Sequence, residues 1–551
     1  MINCAGCGAN MRFDPELQLL KCDYCDQTAD PKNLQAAIVS PESRVRLENS
    51  SIFEAKVYTC PQCGAELISD DDTAATFCNY CGSSVVFEER TLTMKAPSYV
   101  IPFKKGKKQC QEIYSKYVKG AIFAPKSMRE NDTVERFRGI YMPYWVYNMG
   151  MEGEVHMKGQ KSHRTGDYIV TDHYDLSAYV RSHSNGVSFD ASAAFADELS
   201  QSLAPYDFKE CQGFSAGYLS GFYADTADVE AGVYENEAKE VISADIASKL
   251  LTDRTYAGYS ASPSLDSISS MLKIEKADMA YFPVWFLANY SKGYVSYAVV
   301  NGQTGKVSAD IPIDYKKYIF GSLILAIPFM LILDLFFTPK PLHLAFVAAV
   351  FAIVIYNIAN RAMNQLYTRT HYLDDAGLRS TRKEAMPETM AAKKKAKKET
   401  IKTVSSAASV IRTIGIICFM SAYLFVEVGR VGMTCMCILA GCVLMIVAGC
   451  VSASVTGGKT SAKFKRKRLV FKQPFKEKAK VLVKPLIAIG CLALLAIINP
   501  YIDIIYYVCI FAVMILLLTC IWDIVSIHNK LTRRLPKQFG KRGGDENESN
   551  F

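Results

Sequence analysis

Cys4-Ala-Gly-Cys7 and Cys22-Asp-Tyr-Cys25, followed by Cys60-Pro-Gln-Cys63 and Cys78-Asn-Tyr-Cys81, decide how the first part of this chain is read. In each set fourteen residues separate the two pairs, and every cysteine of the first set recurs 56 positions later. Such an offset points to internal duplication. Two residues between cysteines let a tight knuckle aim both sulfurs at one ion, and a second knuckle across a short hairpin completes a tetrahedral Cys4 shell. Zinc favours this thiolate cage, and the ion replaces a core that so short a segment cannot build. The expected ligands are Cys4, Cys7, Cys22 and Cys25 for one Zn2+, and Cys60, Cys63, Cys78 and Cys81 for a second. Gly8, Gly64 and Gly82 follow knuckle cysteines, where positive φ helps turn amides toward sulfur; Asp26 takes that place in the remaining knuckle. Four protein thiolates leave no open coordination position, so both sites are expected to be structural.

Outward from the ribbons, charge divides the chain. Half of the 551 residues are hydrophobic and the net charge is +9, yet residues 1–317 hold 32 Lys/Arg against 41 Asp/Glu. The remainder is therefore strongly basic, with its cations clustered between apolar runs, as in membrane segments with cytosolic loops. Met1-Ile-Asn-Cys4 opens the chain with no basic and then apolar leader pattern, so the first half is expected in the cytosol. A chain of 18 cysteines, eight of them in Cys-x-x-Cys pairs, suits a reducing compartment.

The middle region reads as an α+β domain. Helical periodicity marks 107–119 and 227–251, and strand-like alternation marks 167–180 and 185–195. Tyr141-Met-Pro143-Tyr-Trp145 and Tyr281-Phe-Pro283-Val-Trp285 share a Tyr-x-Pro-x-Trp pattern. Proline opening a strand and tryptophan filling core is the reading favoured over a ligand platform. Asn301-Gly-Gln-Thr-Gly305 between two apolar runs signals a hairpin. His156, His163, His173 and His183 fall in the strand region without acidic partners in a metal motif, and are read as exposed histidines.

In the basic half, apolar stretches at 318–337, 342–360, 413–428, 431–451, 481–499 and 501–526 suggest about six all-α transmembrane helices in three hairpins. The segments 361–412, 452–484 and the tail after 526 are rich in Lys/Arg, which places them in the cytosol beside anionic lipid. The expected organisation is ribbon 1 at 1–30, a linker at 31–55, ribbon 2 at 56–90 and the α+β domain at 91–316. Transmembrane hairpins at 317–361, 413–452 and 481–527 follow, with basic loops at 362–412 and 453–480 and a cytosolic tail at 528–551. A multi-pass cell-membrane protein with both termini cytosolic follows.

No catalytic constellation is present. Gly457-Gly-Lys-Thr460 resembles the end of a phosphate loop, but Ala453 stands where the first glycine belongs, and the segment follows no strand. His-Glu-x-x-His, Gly-x-Ser-x-Gly and kinase signatures are missing. An enzyme is therefore not expected. The eight ribbon cysteines, Ile101-Pro-Phe103 with its following helix, both Tyr-x-Pro-x-Trp segments and Asn301–Lys306 resemble bacterial membrane proteins with N-terminal double zinc ribbons. Members are often likened to the primosomal replication-restart helicase. The resemblance implies association with phage-shock-type or flotillin-like membrane-stress proteins, and carries over no catalytic residues. The function expected is a membrane-anchored ribbon scaffold that recruits protein partners. Nucleic-acid binding is an alternative disfavoured by charge, since residues 1–90 hold 7 Lys/Arg against 14 Asp/Glu and phosphate contact needs cations. A ribbon-regulated transporter or membrane enzyme is a further alternative, for which mid-span polar machinery is sparse.

Overall fold

The computed structural model describes residues 2–33, 52–69, 78, 80–81, 88–291, 294–336, 341–370, 375–381, 475–498 and 501–534. Ribbon 1 forms a three-stranded sheet from β1 (Met11–Asp14), β2 (Leu19–Cys22) and β3 (Thr28–Ala29). All other strands among the described residues join one twelve-stranded sheet. Ribbon 2 is built into that sheet: β4 (Ile52–Thr59) pairs with β5 (Glu66–Ile68) and β6 (Glu88–Lys95), and β5 continues onto β11 (Tyr223–Asp225). The expected boundary at Arg90 thus falls within a paired strand.

The rest of the sheet is two interlocked copies of one unit. The first runs β7 (Tyr99–Val100), α1 (Lys107–Gly120), β8 (Arg138–Thr165) and β9 (Tyr168–Asp190). After α2 (Asp197–Leu203) and β10 (Gln212–Gly213), the second runs β11, α3 (Glu235–Thr252), β13 (Lys273–Ser291) and β14 (Tyr294–Asn301), with β12 (Ser260–Pro263) and α4 (Leu265–Met271) inserted. Each unit lends its first strand to the other: β7 lies parallel to β13, and β11 parallel to β8. The long strands β8 and β13 are antiparallel, with Tyr281 opposite Pro143, Phe282 opposite Met142 and Pro283 opposite Tyr141. The Tyr-x-Pro-x-Trp repeat therefore pairs with itself about a local dyad.

That symmetry explains two prolines inside central strands, where a missing N–H normally breaks a ladder. Pro143 stands where the outer neighbour of β8 changes from β11 to β9, and Pro283 where that of β13 changes from β7 to β14. Each keeps its carbonyl in use, accepting from Ala191 N at 2.8 Å and Gly302 N at 2.9 Å. The indoles match as well: Trp145 Nε1 donates to Val229 O at 2.7 Å, and Trp285 Nε1 to Lys105 O at 2.8 Å.

Alternation along β13 feeds two cores. Phe282, Val284 and Phe286 pack with the Ala238, Ile242 and Ile246 face of α3 and with the ribbon 2 cysteines. Tyr281, Trp285 and Leu287 pack with Cys110, Tyr114 and Val118 of α1 and with ribbon 1. Beyond residue 160 the β8–β9 ribbon leaves the core, and His163 and His173 lie exposed on it, with His156 and His183 nearer its base.

The predicted hairpin forms between β14 and β15 (Val307–Ala309). Asn301 Oδ1 accepts from the amides of Gln303 and Thr304, both at 2.9 Å, and Gly305 takes φ +80°. A Cβ on Gly302 would stand 2.5 Å from the Phe103 ring and 2.8 Å from Pro283 Cβ. Phe103 is stacked on Phe222 at 4.3 Å and fully buried, so it has nowhere to move. Gly302→Ala is expected to destabilise the domain by about 1–3 kcal/mol, read from the denaturant midpoint; an unchanged midpoint would show that the turn relaxes freely.

Among the described residues four long helices follow: α5 (Tyr315–Phe336), α6 (Pro341–Thr370), α8 (Phe475–Ile498) and α9 (Asp503–Leu531), with short α7 (Ala376–Thr381) between α6 and α8. The expectation of six transmembrane helices in three hairpins, and the multi-pass topology drawn from it, is corrected here. Among the described residues one helix, α9, is long and apolar enough to cross a membrane. The first half of α8 carries Lys476, Glu477, Lys478, Lys480 and Lys484, and among the described residues its apolar stretch is Val483–Leu492, half of what the hydrocarbon requires. The expected hairpin at 413–452 lies outside the described residues, as do the basic loop at 453–480 up to 474 and most of that at 362–412. Helices α6, α8 and α9 share a core of Ala352, Ile355, Ala488, Leu492, Ile510, Val513 and Leu517.

These helices are docked on the sheet domain. Arg534, just past α9, exchanges both backbone hydrogen bonds with Val295 of β14 at 2.8 Å. Asn529 brackets Ile313, accepting from its N at 2.7 Å and donating to its O at 2.9 Å. Arg369 at the end of α6 and Arg534 meet Glu198 of α2 and Asp310, with contacts of 3.4 to 3.7 Å and a closer Arg369–Glu198 pair. Ala376 of α7 donates its N–H to Asp197 at 3.0 Å.

Candidate metal centres

The knuckle turns follow directly from the Cys-x-x-Cys spacing. In three of the four, the amide four residues after the leading cysteine returns to that cysteine's carbonyl: Gly8 to Cys4 at 2.9 Å, Asp26 to Cys22 at 3.2 Å and Gly64 to Cys60 at 2.7 Å. The turn demands a left-handed residue, and Gly8 and Gly64 take φ +75° and +72°. Asp26 takes φ +58° in the same role, a conformation short polar side chains tolerate, and its carboxylate pairs with Lys21 at 2.9 Å.

The turns bring all eight predicted ligands into two sets, in each of which the four sulfurs lie within 4.8 Å of one another. Across ribbon 1, Cys4 and Cys25 sulfurs are 3.5 Å apart and Cys7 and Cys22 sulfurs 3.4 Å. In ribbon 2 the Cys60–Cys81 and Cys63–Cys78 separations are 3.9 and 3.7 Å. Zn–S bonds of about 2.3 Å imply tetrahedral edges of about 3.8 Å, so the donor set fits one tetrahedral ion per ribbon. Two groups of four cysteines able to hold a metal are thus present; among the described residues no other cluster of His, Cys, Asp or Glu meets that geometry.

Electrostatics within each set favour a cation. The amides of Cys25 and Tyr24 point at the Cys22 sulfur and lower its thiol to about 7, while those of Cys7 and Gly6 lower Cys4. In ribbon 2 the Cys60 and Cys63 sulfurs, together with burial, push the Cys78 thiol far upward. Enclosed thiolates repel one another, and a divalent ion removes that conflict.

The two sets differ in surroundings. Ribbon 2 sits inside the main core: Tyr297 donates its hydroxyl to Tyr80 O at 2.6 Å, and Tyr80 packs on Phe286. All four of its cysteines are buried. Ribbon 1 docks from outside, with Phe13 N donating to Ser220 O at 3.0 Å, Gln18 Nε2 to Phe103 O at 2.7 Å, and Phe13 packed on Tyr218. Its Cys4 and Cys22 face the domain, and Cys7 and Cys25 are exposed. Sequence reasoning missed the Arg369–Arg534–Glu198–Asp310 cluster; no local spacing joins residues so far apart in the chain.

The chain is similar to the uncharacterized protein YdjG of Bacillus subtilis (strain 168), at 29% identity over 321 residues that make up 57% of this chain and 90% of that protein. No protein-family model matches the chain. No solved structure matches it either.

Proposed function

We propose that the chain is a membrane-attached zinc-ribbon adaptor that presents its ribbons and sheet domain to protein partners at the cytosolic face. The observation that carries this reading is the docking of α9, the helix able to cross a membrane, onto the same sheet that holds ribbon 2. Trp522 of α9 stacks on Tyr315 at 4.3 Å, and the helix exit is pinned through Asn529 and Arg534. Such a joint fixes a recognition surface relative to the bilayer instead of trailing it on a linker.

Zinc is the ion proposed for both sets, because four thiolates in tetrahedral array select it over hard cations. A closed Cys4 shell supplies no position for substrate, so binding is the proposed role. The cytosolic orientation is supported by free thiols and by the basic residues after α9, from Arg533 to Arg542. Membrane-stress proteins of the phage-shock or flotillin-like kind, implied by the family resemblance, are the partners proposed.

Cell fractionation tests this reading. The full chain is expected in the membrane fraction after high-salt washing, and a Tyr168→Cys variant, at the exposed hairpin tip, should react with an impermeant thiol reagent only after the cells are opened. A membrane-stress protein should copurify with detergent-solubilised chain. Release by salt, or labelling in intact cells, would refute the placement; purification with no such partner would refute the adaptor role.

A further inference from the structure

The geometry points to unequal metal sites: ribbon 1 is a peroxide-oxidisable site that gives up its ion through Cys7 and Cys25, while ribbon 2 stays closed. This rests on both ribbons holding zinc. Its ground is how each ribbon meets the domain. Ribbon 1 presents Cys4 and Cys22, 2% and 0% exposed, to the surface formed by Tyr218, Phe222 and Phe103, which turns the second cysteine of each knuckle to solvent. Ribbon 2 has no such outer edge, since none of its cysteines is more than 1% exposed.

The chemistry follows from exposure and sulfur spacing. A peroxide oxygen is attacked by the exposed Cys7 or Cys25 thiolate; the O–O bond breaks, sulfenic acid forms and water leaves after taking up a proton. The nearest sulfur then displaces hydroxide from that sulfenic acid, which takes a second proton and departs as water. Two thiolates, one peroxide and two protons become one disulfide and two waters, with the electrons passing from sulfur to peroxide. The Cys22 sulfur stands 3.4 Å from that of Cys7, and the Cys4 sulfur 3.5 Å from that of Cys25. The predicted disulfides therefore cross between knuckles, Cys7–Cys22 or Cys4–Cys25. Either removes two of four ligands, and the ion is lost.

Loss of the ion also loosens a docked element. Ribbon 1 is a short three-stranded sheet whose Met11, Phe13 and Leu20 cover part of the domain. Without the metal its fold is not self-supporting. Oxidation thus uncovers the Tyr218–Phe222 surface, an apolar patch beside the C-terminal end of β10.

The test uses the full chain in detergent, with zinc content measured first and then hydrogen peroxide added in the presence of a chromogenic zinc chelator. Two ions per chain are expected, one leaving roughly tenfold or more faster than the other. Peptide mass spectrometry should find Cys7–Cys22 or Cys4–Cys25 linked while Cys60, Cys63, Cys78 and Cys81 remain alkylatable after denaturation. The Cys7→Ser/Cys25→Ser variant should lose the fast phase and keep the slow one. Equal release rates, earlier oxidation of ribbon 2, or disulfides confined within a knuckle would overturn the inequality. A chain that binds no zinc at all would overturn the metal reading itself.

Discussion

Serine in place of Cys78 is expected to leave the sheet domain without a cooperative unfolding transition, even though only one sulfur atom has changed. The reason lies in the position of ribbon 2. Its hairpin β4–β5 is an integral part of the twelve-stranded sheet, and its cysteines share one core with Phe286, Tyr297 and the α3 face. Structural zinc contributes about 10–16 kcal/mol to the fold of a small finger, comparable with the whole stability of a domain at about 5–15 kcal/mol. A three-thiolate site with a buried serine hydroxyl keeps only part of that binding energy. The buried thiols left behind cannot all ionise, and a strand-bearing edge of the sheet loses its anchor. Near-ultraviolet circular dichroism and denaturant titration read the effect. A Cys25→Ser protein, altered at the peripheral ribbon, should still unfold cooperatively. Retention of a wild-type transition by Cys78→Ser would show that ribbon 2 is a passenger on the sheet.

How much of this was legible beforehand depended on the range over which the information is written. Cys-x-x-Cys spacing is local, so both four-cysteine groups able to hold a metal were readable to the residue, including the anomaly at Asp26. The hairpin at Asn301–Gly305 was readable for the same reason. The Tyr-x-Pro-x-Trp repeat was visible as a pattern, but its meaning was not. Nothing in either copy says that the two lie antiparallel against each other, or that each half lends a strand to the other. The misreading of six spans came from counting apolar runs by length alone. In α8 four lysines and a glutamate occupy the first ten residues, and α6 continues past its apolar part to end at the sheet domain, where Arg369 is needed. Charges that read as loop signals in sequence become interface residues once the chain folds back.

Glu198→Ala is expected to weaken that interface by about 2–4 kcal/mol, and a second substitution is expected to restore part of the loss. Glu198 faces both Arg369 and Arg534, and the side chains of the four members are only 9 to 22% exposed. Removing it takes one of the two carboxylates away from the pair of guanidinium groups, with Asp310 remaining beside both. Breaking a fully buried pair costs about 3–5 kcal/mol, because the remaining charge stays desolvated; the partial exposure here lowers the figure. Arg369→Met in the same chain removes the uncompensated cation and retains most of the packing of the arginine stem. The double variant should accordingly be more stable than Glu198→Ala, a non-additivity expected only of side chains in contact. Denaturant unfolding in detergent gives the stabilities, and limited proteolysis between residues 309 and 318 reports whether the helices have come away from the sheet. Equal or greater loss in the double variant would mean that Arg369 stabilises the joint through groups other than Glu198, such as the Leu531 carbonyl to which it also donates. In that case the ion cluster would not be what couples α9 to the ribbon-bearing sheet, and the joint would rest on Asn529, the Val295–Arg534 bridge and the Tyr315–Trp522 stack.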